Sequence, residues 1–315
     1  MSPLPTSSKS SDHIIDVAIV GAGPAGLAAA VALGRSLRSV TIIDAGQPRN
    51  RYAHAAHNTL GQEGISPAEL LEKGRAEARS YGVNINSGRV EKVQRGSDSF
   101  AITLDDASLL HARRIILAHG AVDELPEIDG LMELWGTKVL HCPYCHGFEA
   151  RGAEIVVLNT SSMSGHQALM FSQLSQKVTL VGIIDLEEHT RALLEKAGVK
   201  VVRDDVVSVA AVGDGVDMTL ASGDSMQSDF IVVATRPMAD DSLYSQLGGE
   251  MEEGPMGRSI PSSPSGRTPI EGVWAAGNAQ AANSMVYASA AQGVMAGAEI
   301  NFDLILADIA DADSQ

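Results

Sequence analysis

The 315-residue chain has two cysteines, and both lie in one short run, His141-Cys142-Pro143-Tyr144-Cys145-His146. Cysteines at i and i+3 with a proline between them have the spacing of a redox dithiol. The sulfurs can close a disulfide across a single turn, and one thiol can resolve what the other has formed. Three other chemistries fit less well. A structural zinc site needs four Cys/His ligands, and His141 and His146 sit too close in sequence to wrap one ion, so no metal is expected. Cys142-Pro-Tyr-Cys145-His146 also has the spacing of c-type haem attachment. That chemistry belongs to exported proteins, and the first dozen residues carry no apolar signal core. Two unrelated buried thiols would be an odd use of Cys-Pro-Tyr-Cys. The pair reads as a working dithiol.

Composition narrows the setting. A chain of 315 residues, 44% hydrophobic, suggests about two domains with a large core, and no apolar run approaches a membrane span. The net charge of -16 argues against nucleic acid and anionic membranes, and it slows encounter with very acidic proteins. One reactive pair without a disulfide framework points to a cytoplasmic protein. Residues 1–12 and 307–315 read as polar tails.

The elements that could position a partner for the dithiol begin at the front. Ile14-Ile15-Asp16-Val17-Ala18-Ile19-Val20 reads as a buried parallel strand and runs into Gly21-Ala22-Gly23-Pro24-Ala25-Gly26, followed by a helical stretch from Leu27 to Leu37. A second strand, Val40 to Ile43, ends on Asp44. This is the βαβ dinucleotide fingerprint in its proper context. Gly21 allows the tight turn, Gly23 lets the backbone approach a pyrophosphate, and Gly26 lets helix and strand pack closely. Gly21, Gly23, Pro24, Ala25 and Gly26 are therefore expected against the pyrophosphate at the helix N-terminus, with Asp44 on the ribose hydroxyls.

At the far end, Gly272-Val273-Trp274-Ala275-Ala276-Gly277-Asn278 is a short apolar strand followed by an alanine-rich helix from about Ser284 to Ile305. The pattern resembles the flavin-contacting segment of two-dinucleotide flavoproteins, in which a Gly-Asp pair holds the ribityl chain. Here Asn278 stands for the acid, and its amide can still hydrogen-bond a hydroxyl. The cofactor implied is FAD, held by the first and last thirds of the chain.

Two apolar segments, Arg113 to Gly120 and Asp229 to Thr235, read as crossover points between domains. Between them lies a second βαβ candidate: strand Glu154 to Leu158, helix Ala168 to Gln176, strand Lys177 to Val181. Its turn is Asn159-Thr160-Ser161-Ser162-Met163-Ser164-Gly165-His166. Side chains at nearly every position there obstruct close approach of a pyrophosphate. Asp185, Glu187 and Glu188 follow where a 2′-phosphate would want arginines. This reads as a Rossmann-like domain kept for its shape, with a degenerate NADH site as the alternative.

Together these features resemble the low-molecular-weight thioredoxin reductase family over nearly the whole chain. They are similar in particular to its flavin-dependent dithiol oxidases, which close disulfides in natural products such as gliotoxin and holomycin. Three stretches carry the closer resemblance. They are Cys-Pro-Tyr-Cys-His-Gly-Phe-Glu from Cys142; Pro48-Arg49-Asn50 with His57-Asn58-Thr59-Leu60-Gly61; and the glycine-poor loop with His166-Gln167-Ala168-Leu169. The resemblance implies an α/β fold of two Rossmann-like (FAD/NAD(P)-binding type) domains, the second inserted into the first. Residues 13–120 and 238–306 would form the FAD domain, and 121–237 the NAD(P)-binding-like domain with the dithiol.

It further implies that Cys145 faces the flavin as the charge-transfer thiolate and that Cys142 exchanges with substrate. His146 takes the acid–base role, and His141 either steadies a thiolate or simply packs. Arg49, Asn50, Asn58, Gly277, Asn278, Met285 and Val286 join the cofactor contacts, and a homodimer is expected. The activity implied is oxidation of a small-molecule dithiol with O2 reduced to H2O2. The alternatives are an NAD(P)H-dependent disulfide reductase and a non-enzymatic flavin/dithiol redox sensor.

Overall fold

The computed structural model describes residues 14–254 and 256–313, and the chain divides into two compact units. One gathers the residues up to 48, 68–122 and those from 237 onward; the other gathers 49–67 and 123–236. The segment 49–67, assigned from sequence to the FAD domain, thus packs with the dithiol-bearing residues. The expected tail at 1–12 lies outside the described residues.

In the first unit, Ile14–Val20 pairs in parallel with Val40–Asp44 on one side and with Leu109–Leu117 on the other. Asn84–Ser87 extends the parallel edge. Leu109–Leu117 is long enough for two strands to share its other edge. Its first half pairs antiparallel with Phe100–Leu104, and its last residues pair in parallel with Val273–Ala275. The carboxyl ends Val20, Leu117 and Ala275 therefore fall in register, and that is the edge at which open α/β sheets bind ligands. The strands Ile14–Val20, Val40–Asp44 and Val273–Ala275 are largely apolar on both faces because both are covered. Leu27, Ala30, Leu33, Ala296 and Ile300 fill one side, and Phe100, Ile102, Leu243 and Tyr244 fill the other.

The helix Pro24–Arg35 and the C-terminal helix Val286–Asp313 lie backbone to backbone. A Cβ built on Gly293 would stand 2.0 Å from the Ala25 carbonyl oxygen, so only glycine permits this approach. The C-terminal helix continues through Asp313, so 307–313 is helical rather than a tail. Its last turns are pinned by Asp308, which accepts hydrogen bonds from Arg38 at 2.8 Å and pairs with Arg113 at 2.7 Å.

The second unit centres on a five-stranded parallel sheet in the order Lys200–Val202, Val178–Val181, Ile155–Leu158, Phe230–Val233, Val139–Leu140. A three-stranded antiparallel meander spans 206–228, and the helices Ser164–Ser172 and Glu188–Lys196 complete the unit. The short edge strand Val139–Leu140 delivers the chain directly to His141 and the dithiol. Among the described residues no helix is long and apolar enough to cross a membrane.

Candidate active site

Pro143 opens a single helical turn, Pro143–His146, with Cys142 as its N-cap. Proline suits that position because its fixed φ is already helical and its missing N–H would have been unpaired. The two cysteines are free, and Cys145 Sγ donates to Cys142 Sγ at 2.7 Å. That hydrogen bond, the backbone N–H groups of Cys145 and Tyr144, and the charge of Arg49 bring the Cys142 thiol down to about 7 against the pull of burial. The same bond, burial and the neighbouring thiolate raise Cys145 instead, so Cys145 keeps its proton. The reduced pair thus titrates as one coupled unit, in which the S–H of one sulfur steadies the thiolate of the other.

Both flanking imidazoles are held below their ordinary value, chiefly by burial. His57 adds to the effect at His146, and at His141 burial outweighs the Val233 hydrogen bond and the Asp123 charge. His141 Nδ1 lies 3.0 Å from the Val233 carbonyl oxygen and 3.5 Å from Thr235 Oγ1, while Gln167 Nε2 donates to the His141 carbonyl at 2.7 Å. This is a fixed, neutral ring. The charges of His57 and Glu149 both act on His146; His57 Nδ1 meets Glu63 at 2.7 Å and its Nε2 lies 3.7 Å from Glu149.

Of the residues expected at the cofactor, Arg49, Asn50 and Asn58 sit in the unit that carries the dithiol. Asn58 takes a left-handed φ of 57° and donates Nδ2 to the Tyr144 carbonyl at 2.6 Å, bracing the dithiol turn. Arg49 binds Asp123 in a fork, Nε to Oδ2 at 2.7 Å and Nη2 to Oδ1 at 2.6 Å. Asp123 also accepts from Thr235 Oγ1 at 2.7 Å. Asp123, Thr235, Glu63 and Glu149 carried no sequence signal, since a lone acid or threonine at a strand end looks like any other.

The first unit collects Gly21, Gly23, Pro24, Ala25, Gly26, Asp44, Gly277, Asn278, Met285 and Val286. Gly21 has a φ of 103°, and a Cβ on Gly26 would meet the Gly21 carbonyl oxygen at 1.9 Å. A Cβ on Gly23, by contrast, would meet nothing within 4 Å. The space over the first helical turn is open, and no side chain caps its N–H groups. Such a cradle suits a pyrophosphate. Asp44 accepts from the Ala22 N–H at 3.1 Å and from Arg75 at 3.0 Å, leaving one lone pair on each oxygen for a ribose. Two residues beyond Leu117, His119 Nε2 is buried with no partner among the described residues. Gly277 approaches Ala25, its built Cβ 2.8 Å from the alanine methyl.

Asn278 does something the sequence did not suggest. Its Nδ2 points at the carbonyls of Ala281, Ala282 and Ser284, at 3.2, 2.9 and 3.0 Å. It clamps the loop leading to the C-terminal helix.

In the degenerate βαβ unit, Ser164 is fully buried, and its Oγ accepts the N–H groups of Thr160 and Ser161, each at 3.2 Å. The turn thus supplies its own acceptor for these two N–H groups. Asp185 is engaged by Arg203 at 3.0 Å.

The chain is similar to known proteins. The family profile described as pyridine nucleotide-disulphide oxidoreductase matches residues 15–297. "Thioredoxin reductase sirT" of Leptosphaeria maculans is 32% identical, covering 94% of this chain and 96% of its own. Among solved structures, HlmI superposes with a TM-score of 0.91 at 35% identity over 98% of both chains. An oxidoreductase from Agrobacterium tumefaciens gives 0.88 at 34%, covering 93% of this chain and 99% of that one. The chain belongs to the pyridine nucleotide-disulphide oxidoreductases, in their thioredoxin reductase-like group.

Proposed function

We propose that the chain is an FAD-dependent dithiol oxidase. It closes a disulfide in a small natural-product dithiol through Cys142 and Cys145, and O2 leaves as H2O2. The observation that supports this direction is the self-filled turn at 159–164. With Ser164 Oγ on the N–H groups of Thr160 and Ser161, the hydride donor of a reductase has lost its phosphate seat, so electrons enter from thiols.

The reaction starts from the oxidised pair. A substrate thiolate attacks the Cys142 sulfur, the Cys142–Cys145 bond breaks, and a substrate–Cys142 disulfide forms. Cys145 leaves and takes up a proton, in keeping with its raised pKa. His146, kept neutral by burial, can accept the substrate's thiol proton and hand it to Cys145. The second substrate thiolate then attacks its partner sulfur and releases the closed disulfide. Cys142 departs as a thiolate, a good leaving group at a pKa of about 7. FAD, when bound, supplies the two-electron link from the dithiol to O2. The open cradle at Gly23, the orphaned His119 Nε2 and the strand ends at Val20, Leu117 and Ala275 fit that cofactor.

A cytoplasmic setting, where thiol substrates stay reduced, suits this chemistry. A second copy of the chain is the proposed partner. The name of the fungal relative, thioredoxin reductase sirT, favours the other reading, a nicotinamide-driven reductase. The two part on simple tests. Anaerobic NADPH or NADH at micromolar concentration is expected to leave the flavin absorbance unchanged within seconds. Dithiothreitol in air is expected to give steady peroxide release. Rapid bleaching by either nicotinamide would overturn the oxidase in favour of the reductase, and absence of turnover with dithiothreitol would favour a sensor.

A further inference from the structure

Two aromatic rings stand open to water beside the reactive sulfurs. Tyr144, between the cysteines in sequence, is 66% exposed, and Phe148 is 65% exposed. The backbone goes on turning helically past His146. Gly147 keeps a φ of -69° and a ψ of -31°. Its N–H donates to the Pro143 carbonyl at 2.8 Å, and the Ala150 N–H donates to the His146 carbonyl at 3.2 Å. Tyr144 and Phe148, four residues apart, therefore share one face of this turn, and Phe148, three beyond Cys145, neighbours that cysteine as well.

The backbone that carries the rings is fixed. The Tyr144 carbonyl accepts from Asn58 Nδ2 at 2.6 Å, and a Cβ built on Gly147 would stand 2.4 Å from Leu174 Cδ1. Arg151 covers one face of Phe148, its guanidinium 4.0 Å from the ring centroid, while its Nη1 donates to the Phe148 carbonyl at 2.6 Å. With that face covered, the exposure of Phe148 belongs to its other face and its edge.

We propose that Tyr144 and Phe148 form a platform on which the substrate stacks, and that the substrate is an uncharged small molecule carrying its two thiols on a flat apolar ring system. This deepens the oxidase reading and rests on it for the direction of the reaction. Size selects the occupant: two aromatic side chains bury about 300–500 Å² together, whereas a stable protein partner covers about 800 Å². Charge selects it further. The net charge of -16 disfavours an anion, and the cation beside the rings, Arg151, is already engaged by Phe148. Glu149, the nearest acid in sequence, lies toward His57 at 3.7 Å. What the platform offers is ring surface, and rings prefer to meet it offset or edge to face. Cys145 Sγ is 2.7 Å from Cys142 Sγ, so a molecule resting on the platform brings its thiols to the pair. The substrate then gives up two electrons and two protons as its S–S bond forms, and the Cys142–Cys145 disulfide takes them up as two thiols.

The test uses the full-length flavin-bound protein with the pair oxidised, kept anaerobic. Reduction of the pair is followed by quenched alkylation and mass spectrometry, with benzene-1,2-dimethanethiol and with dithiothreitol, both well below saturation. The readout is the ratio of the two rate constants, and using the same two dithiols in every protein cancels their different thiol chemistry. Phe148→Ser and Tyr144→Ser should each lower the wild-type preference for the aromatic dithiol by about ten-fold. Phe148→Trp should keep it. Val201→Ser is the control expected to keep the wild-type ratio; it alters a residue 44% exposed on Lys200–Val202, the sheet edge opposite the strand that leads into the dithiol. An unchanged ratio in both serine variants would overturn the proposal. So would rates that fall equally with both dithiols, since the rings would then serve the turn and not the substrate. If one serine variant does not fold, the other decides by the same criterion. Reduction of the pair needs neither oxygen nor nicotinamide, so this result stands apart from that of the peroxide assay.

Discussion

Three histidines, His119 in the first unit and His141 and His146 in the second, are held below the ordinary imidazole value, in each case chiefly by burial. Each resists protonation when folded and accepts it freely when unfolded, near pH 6.5. The folded state is therefore at full stability above pH 6.5 and loses stability as the pH falls from there toward the depressed folded values. The carboxylates Asp123 and Asp240 are also lowered in the folded state. Their loss begins only near pH 4, so the two effects occupy different windows. The chain's charge of -16 works the other way, because acid relieves its self-repulsion. A thermal midpoint that still declines between pH 7 and pH 5 therefore reports the histidines. We expect that decline, and we expect His119→Gln to flatten it by removing the proton site that only the unfolded chain can fill. A midpoint that rises steadily over the same range in wild type would show that charge relief dominates.

The loop into the C-terminal helix turns on one amide. Asn278 was read from sequence as an aspartate short of a charge, still able to meet a ribityl hydroxyl. Its Nδ2 gathers the carbonyls of Ala281, Ala282 and Ser284, which a carboxylate would repel. Asn278→Asp should destabilise the chain by about 1–3 kcal/mol, the cost of leaving such groups unpaired. It should also speed amide exchange at Ser284 and Ser289, whose N–H groups bond within this loop and first turn. Unchanged exchange there would mean the clamp is ornamental.

Strands such as Ile14–Val20, the glycine turn at 21–26 and the dithiol were legible because each is local: a run of apolar residues, a fixed spacing, a proline at a helix start. The Ser164 acceptor was legible only as crowding, since its bond to the turn needs the helix to begin where it does. Arg49, Asp123 and Thr235 were not legible as a group. Their meeting depends on residues 74 and 112 positions apart, and no periodicity marks a buried ion pair. Asn58 was found for its neighbourhood, but its hydrogen bond to Tyr144 is a tertiary fact.

At the scale of the molecule, the C-terminal helix presents two faces. Ser289, Gly293, Ala296, Gly297, Ile300 and Leu304 are buried on one of them. Tyr287, Val294, Met295, Phe302, Ile305, Leu306 and Ile309 are exposed. At 100° per residue these exposed side chains fall within one stripe opposite the buried set. So long an apolar stripe is unusual for a monomer, and a second copy of the chain is its expected cover. Two-fold symmetry would set the stripe against itself, so one charge introduced on each copy places two near the axis. Burial of a side chain the size of Phe302 contributes about 1.5–3 kcal/mol relative to exposure. Phe302→Glu would forfeit that twice and add a like-charge clash. In sedimentation at micromolar concentration we expect wild type near twice the chain mass and Phe302→Glu near the monomer. A wild-type protein that sediments as a monomer at all concentrations would remove the stripe's proposed partner. Tyr52→Glu, which alters an exposed residue outside the C-terminal helix, is the control expected to keep the wild-type mass.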